Sequence, residues 1–277
     1  MSIVITGASG KLGHLIIEQL LHQISPERII AGVRRLEAGD SYRAAGIQVR
    51  LCDYDQPESI EQAMAGASQL LLISSSHADD TIRFRQHAHV IEAAKRMKVE
   101  HLVYTSFAFP EHGSGPPVHL HLATEYAIRA SGIAYTFMRN ALYTDIIEAL
   151  DLQTIIAEQQ IVCPPEAWTF NTVIRADLAA ATANVLAQPS KHRNRIYELT
   201  ASTSWSFSDL AAALSELVGT PMAVQQDPQL QHWIFNFLRT IDTSSTTTDL
   251  EQLLGHPPTS LRDSLQPFIT GFNSTNY

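Results

Sequence analysis

The sequence predicts an α/β fold, a doubly wound parallel sheet followed by a small C-terminal lobe. Three observations carry that expectation. Short apolar runs alternate with longer helical patterns through the first half of the 277-residue chain, the order that produces right-handed crossovers. The run Leu70-Leu71-Leu72-Ile73 is apolar on both faces, as a buried central strand requires. A glycine-rich turn directly follows the first apolar run, at Gly7, Gly10 and Gly13.

The first strand is expected at residues 3–6, where Ile3-Val4-Ile5-Thr6 is short and apolar; a helix at 11–22 follows, carrying Leu12, Leu15 and Ile16. Further strands are expected at 28–33, 48–51, 70–73, 101–105 and 134–139, and helices at 37–45, 57–65, 81–97 and 120–131. Ser74-Ser75-Ser76 continues the central strand and should emerge at the carboxyl edge, where such sheets bind ligands. Beyond residue 140 the alternation loosens. Residues 145–158 and the alanine-rich 176–186 read as helices, and 162–166 carries two prolines. Residues 195–199 read as a strand and 206–217 as a helix capped by Ser206 or Ser208. An aromatic-rich helix is expected at 233–238 and a loop at 243–248; Thr259 or Ser260, after Pro257-Pro258, should open the last helix. The domain expectation is a dinucleotide-binding core at 1–147 and a mostly substrate-side lobe at 148–277, some of whose segments return to the core.

The glycines carry chemistry. Gly7 permits the tight turn, Gly10 lets backbone approach a pyrophosphate, and Gly13 lets helix and strand pack closely. The anion then meets free N–H groups at the positive end of the helix. Ser9, Lys11 and Leu12 complete that turn. About 20 residues further on, an NAD site places a carboxylate for the ribose hydroxyls; this chain has Gly32-Val33-Arg34-Arg35 instead. A guanidinium pairs with a 2′-phosphate in bidentate fashion, so NADP(H) is favoured over NAD(H). Arg34 is the first candidate, and Arg35 and Lys11 could assist. Asp53-Tyr54, after the third strand, is placed to border the adenine.

Composition excludes several classes. A formal net charge of −9 argues against nucleic-acid partners, and no run reaches the ~18 apolar residues of a membrane span. Met1-Ser2 leads straight into the first strand, so no targeting peptide is expected. Two cysteines, Cys52 and Cys163, form no CxxC pair, which makes a cytoplasmic setting the default. His112, His119 and His121 lack the carboxylate or cysteine company of a metal site, and no metal is expected. A homodimer is compatible with the sequence.

At GASGKLG, GVRR, CDYDQPES, LLLISSS, YTS and HLATEYAIR…YTFMRNALYTD the chain resembles the NmrA-like group of atypical short-chain dehydrogenases, in particular its triphenylmethane-dye and quinone reductases. The resemblance is dense over residues 1–147 and thinner afterwards. Between residues 224 and 243 the chain is shorter than those relatives. The resemblance implies a Rossmann-like NADP-binding fold with hydride transfer to quinones or planar cationic dyes.

Ordinary short-chain dehydrogenases pair a tyrosine with a lysine four residues later. Here Tyr126 is followed at that distance by Ala130, Tyr104 by Ala108 and Tyr135 by Arg139, and no tyrosine has the lysine. A quinone can take its proton from water and a triarylmethyl cation needs none, so holding nicotinamide and acceptor face to face suffices. Ketones and secondary alcohols, which need a placed acid, are disfavoured. By topology Thr105, Ser106, Asn140 and Tyr143 end strands at the ligand edge, and Ser74, Ser75 and Ser76 can bond the ribose and pyrophosphate. His121 is the first candidate to face the acceptor or nicotinamide, and Tyr126 the second. Tyr143 and the aromatic stretch Trp233, Phe235 and Phe237 can stack on a planar acceptor. The alternative function is an NADP(H) sensor that reports to a partner without turnover.

Overall fold

The structure, a computed structural model, describes residues 2–273, with side chains through residue 269; Met1 and residues 274–277 lie outside the described residues. The first half comprises β1 (Ile3–Ile5), α1 (Lys11–Leu21), β2 (Ile29–Val33), α2 (Asp40–Ala44), β3 (Gln48–Leu51) and α3 (Pro57–Met64). It continues with β4 (Gln69–Leu72), α4 (Asp80–Arg96), β5 (His101–Phe107), α5 (Pro116–Ser131) and β6 (Ala134–Asn140). Then come α6 (Leu152–Glu158), β7 (Gln160–Cys163), β8 (Thr169–Phe170), α7 (Arg175–Ala187), β9 (Arg195–Leu199) and β10 (Trp205–Ser206). The chain closes with α8 (Phe207–Val218), β11 (Ala223–Gln226), α9 (Trp233–Leu238), α10 (Asp249–Leu254) and α11 (Leu261–Asn273).

Seven parallel strands form the central sheet in the order β3-β2-β1-β4-β5-β6-β9. Strand residues alternate between two cores because successive side chains point to opposite faces. Ile3, Ile5, Leu71, Val103 and Met138 pack with α1, α7 and α10, while Val4, Leu70, Leu72, Leu102, Tyr104 and Phe137 pack with α3, α4 and α5. The strand order reverses between β1 and β4, which opens a crevice at their carboxyl ends. A third apolar cluster, with Ile155, Phe170, Trp205, Phe207, Leu214 and Phe235, fills the lobe built by α6, α8, α9, α11 and the short strands.

The sequence pattern of the second half marks no β8, β10, β11 or α10, and two further segments differ from it. Residues 145–158 do not form one helix: a 3-10 segment Thr144–Leu150 stops at Asp151, which takes φ 60°, and α6 starts anew with the Asp151 side chain accepting from the Thr154 N–H. Residues 160–163, whose neighbourhood reads as an irregular proline-bearing stretch, pair in parallel with β11. Elsewhere Ser206, rather than Ser208, caps α8 in a reciprocal box with Asp209.

One buried ion cluster braces the carboxyl ends of β5, β6 and β9. Arg139 of β6, 5% exposed, donates through Nε and Nη2 to both oxygens of Glu125 on α5, at 2.8 and 2.7 Å. Its Nη1 also donates to Glu198 of β9 at 2.8 Å, and Glu111 accepts from Nη1 and Nη2. Ser106 of β5 adds a hydroxyl to Glu125 at 2.7 Å. Burial holds the Glu198 carboxyl above the usual carboxylate range, while bonds from Arg139 pull Glu111 below it despite its partial desolvation. Replacing the cation strands three carboxylates. Arg139→Met is expected to cost about 3–5 kcal/mol in denaturant unfolding, and Arg139→Met with Glu125→Leu less than the single change.

Three buried imidazoles, His87, His101 and His121, set an acid limit. His87 and His101 are fully buried, and desolvation pushes them to about 3 and about 4 from the ordinary 6.5. The unfolded chain therefore binds more protons than the folded one between those values. Stability should be complete above about pH 6.5 and fall as pH drops, by up to about 1.4 kcal/mol per pH unit for each ring. Urea unfolding at neutral pH and at about pH 5 measures this; equal stabilities would mean the folded rings accept protons freely.

Candidate active site

The crevice at the β1/β4 switch point is a continuous cleft. One hollow, of about 390 Å³, is lined by Gly7, Ser9, Gly10, Lys11, Leu12, Gly13, Arg34, Asp53 and Tyr54, together with Arg175. A second, of about 260 Å³, is lined by Thr105, Ser106, Phe107, His121, Asn140, Leu142 and Tyr143. Leu12, Ile73, Ser74, Ser75 and Ser76 belong to both. Their combined extent is that of a small-molecule site.

Local sequence dictates the first hollow. Gly7 turns at φ +61°, a conformation that L side chains rarely adopt, and a Cβ on Gly13 would stand 2.4 Å from the Gly7 carbonyl oxygen. α1 can start against the end of β1 only with glycine there, and it points its free N–H groups into the cleft. Arg34 is exposed and lines the hollow, whereas Arg35 is absent from its lining. Asp53 also lines it, but its carboxylate accepts from the Asp55 N–H at 3.1 Å and from Gln56 Nε2 at 2.9 Å, which commits it to the turn before α3. Tyr54 turns its hydroxyl inward, 2.7 Å from the Ile73 carbonyl oxygen.

The serine loop after β4 is held from behind. The Ser74 N–H donates to Thr105 Oγ1 at 2.9 Å and the Ser75 N–H to His87 Nε2 at 2.9 Å. Arg83 of α4 donates from Nε to the Ser75 carbonyl and from Nη2 to Ser74 Oγ. The Ser75 hydroxyl donates to Gln86 rather than facing the cleft; Ser76 is exposed. His87 Nε2 accepts, so Nδ1 carries the proton and donates to Thr124 Oγ1 at 2.9 Å. Arg83, His87, Gln86 and Arg175 are absent from the sequence-based candidates. They stand on helices whose periodicity reports only which residues share a face, not what a loop beyond that face requires.

At the other end, His121 is 6% exposed and its Nδ1 lies 2.7 Å from the Tyr104 hydroxyl. Burial holds its pKa well below the ordinary value, with help from the positive charge of Arg83, and the ring is neutral. Its Nε2 has no hydrogen-bond partner among the described residues. Asn140 is 4% exposed on the floor, and its Oδ1 is a buried acceptor without a partner, a group that calls for a donor from whatever fills the cleft. Tyr143 carries the Arg175 guanidinium over its ring, 4.1 Å from the centroid. Tyr126 departs from expectation. It is 63% exposed on the outer side of α5 and lines neither hollow, because helical spacing sends it away from the face shared by His121, Thr124 and Glu125.

Comparisons agree with this geometry. A family model described as NAD(P)H-binding matches residues 7–189. Quinone oxidoreductase 2 of Escherichia coli is 31% identical over 95% of this chain and 97% of its own length. An NmrA-like family domain-containing oxidoreductase of Aspergillus flavus is 30% identical over 79% of this chain and 72% of its own. Among solved structures, triphenylmethane reductase of a Citrobacter species complexed with NADP(H) superposes with a TM-score of 0.89 at 37% identity, covering 96% of this chain and 99% of that one. No helix among the described residues is long and apolar enough to cross a membrane. With its Rossmann-like sheet and glycine turn, the chain belongs to the NAD(P)H-binding family, within the NmrA-like group of oxidoreductases.

Proposed function

We propose that the protein is an NADPH-dependent reductase of quinones or comparable planar acceptors, with the acceptor seated between the lobe and the hollow that holds His121. One observation carries the reading. The hollow beside His121 runs into the glycine turn, and among the described residues that line it there is no lysine beside Tyr143, which supports acceptors that need no placed acid.

The residues present fit a dinucleotide. The crowded Gly13 contact, the unpartnered Asn140 Oδ1 and the free cations Arg34 and Lys11 at one cleft are complementary to a polyanion with an amide at one end. Gly7, Ser9, Gly10, Lys11, Leu12 and Gly13 take its phosphates, and Ser74, Ser75, Ser76, Thr105, Asn140 and Tyr143 flank the nicotinamide ribose and ring. Bound in its reduced form, the nicotinamide supplies a hydride. NADP(H) is preferred because the Asp53 carboxylate is committed to its turn, leaving Arg34 to meet the adenosine ribose.

With Tyr104 donating to Nδ1 of His121, Nε2 carries the proton and offers an N–H to an acceptor oxygen that gains negative charge. His121 thus polarises the acceptor without giving up a proton, and water protonates the product. Phe107 and Leu142, which pack against the lobe's apolar cluster, line the hollow and give the acceptor plane an apolar wall. The same chemistry suits a cytoplasmic protein.

Absorbance assays of NADPH and NADH oxidation against benzoquinones, naphthoquinones and triarylmethane dyes test this. Saturable turnover with NADPH is expected; tight NADPH binding without turnover on any acceptor would instead make the protein a dinucleotide sensor. Arg34→Ala should raise KM for NADPH by about 10- to 100-fold with little change for NADH. His121→Phe should lower kcat for quinones by about 10- to 100-fold while leaving the Kd for NADPH unchanged.

A further inference from the structure

We infer that Arg175 forms the second wall of the pyrophosphate site, closing on the dinucleotide from the side opposite the glycine turn; the inference rests on the dinucleotide reading above. Arg175 opens α7, more than half the chain away from Gly10, yet it lines the same hollow as the glycine turn.

Three features make it a phosphate ligand rather than a structural cation. Its side chain is 22% exposed, and its ion pair with Asp145 runs through Nη1. Nε and Nη2 have no partner among the described residues, which leaves one edge of the planar fork free for an anion. The flat face is occupied by the Tyr143 ring, so the guanidinium is fixed in orientation before a ligand arrives.

Position selects the pyrophosphate among the ligand's anionic groups. Tyr143 lines the acceptor hollow and Arg175 the phosphate hollow. The stacked pair therefore stands where the two meet, and the part of a dinucleotide that joins its two nucleosides is the pyrophosphate. The 2′-phosphate belongs at the far end, beside Arg34 and Tyr54. Besides lining the cofactor site itself, Tyr143 positions Arg175 through its ring face.

The experiment is direct titration of NADPH, NADH and 2′-AMP, the last carrying the 2′-phosphate but no pyrophosphate. Arg175→Ala should weaken NADPH and NADH alike by about 10- to 100-fold and leave 2′-AMP unchanged. Arg175→Gln, which keeps most of the packing, should show the same pattern with a wild-type melting temperature. Tyr143→Leu should reproduce part of the loss and Tyr143→Phe, which retains the ring face, should recover it. Unchanged NADPH affinity in Arg175→Gln overturns the inference. So does a loss confined to NADPH and 2′-AMP, which would make Arg175 the 2′-phosphate reader. Failure of the wild-type protein to bind any dinucleotide overturns the functional reading and this inference together.

Discussion

The carboxyl edge of the sheet depends on one cation. Arg139 binds Glu111, Glu125 and Glu198 at once, and those carboxylates come from a 3-10 turn, a helix and the edge strand. A hydrophobic contact could glue these pieces together but would leave their relative slide undetermined. A fork of directed N–H groups fixes it, since each oxygen has one place to sit. The cluster lies under the strand ends that carry Ser106 and Asn140, so the floor of the hollow beside His121 inherits its geometry.

Above that floor the polar groups form a hierarchy. Thr105 and His87 hold the serine loop by its backbone, Arg83 clamps it from below, and Thr124 joins His87 to the middle of α5. Burial keeps the imidazoles neutral, so each ring has a defined donor and a defined acceptor side. A charged ring at His87 would leave its Nε2–H facing the Ser75 N–H, a donor facing a donor. Neutrality is thus part of how the loop keeps its shape.

Much of the fold was legible because its causes are local. β-branched and aliphatic runs of four or five residues mark strands, and the glycine turn states its own steric need through Gly7 and Gly13. That Thr105, Asn140 and Tyr143 line the cleft followed from topology alone. What escaped has non-local causes. β7 pairs with β11, whose residues are all exposed, so no apolar alternation marks that strand. The break at Asp151 lies inside a stretch of helical pattern and comes from a left-handed backbone. Arg83 and His87 serve a loop that their own helix does not contain, and the orientation of Tyr126 depends on which side of α5 meets the sheet. The commitment of Asp53 to its own turn became visible only with its partners in place.

The packing of α1 against α7 also governs how the molecule comes into being. Ile16, Ile17 and Leu20 share one apolar cluster with Leu178, Val185 and Leu186, and Gln23 Nε2 bonds Asn184 Oδ1 at 2.8 Å across 161 residues. The helix that follows the glycine turn is synthesised well before its cover, since seven strands, β2 to β8, lie between α1 and α7 in the chain. Until then the part of its apolar surface that α7 covers has no native partner. Closing so long a loop is slow, and an exposed aliphatic face in the meantime invites association. Nascent chains of this protein therefore pass through a stage in which the most recognisable part of the site is already written but has nothing to lean on.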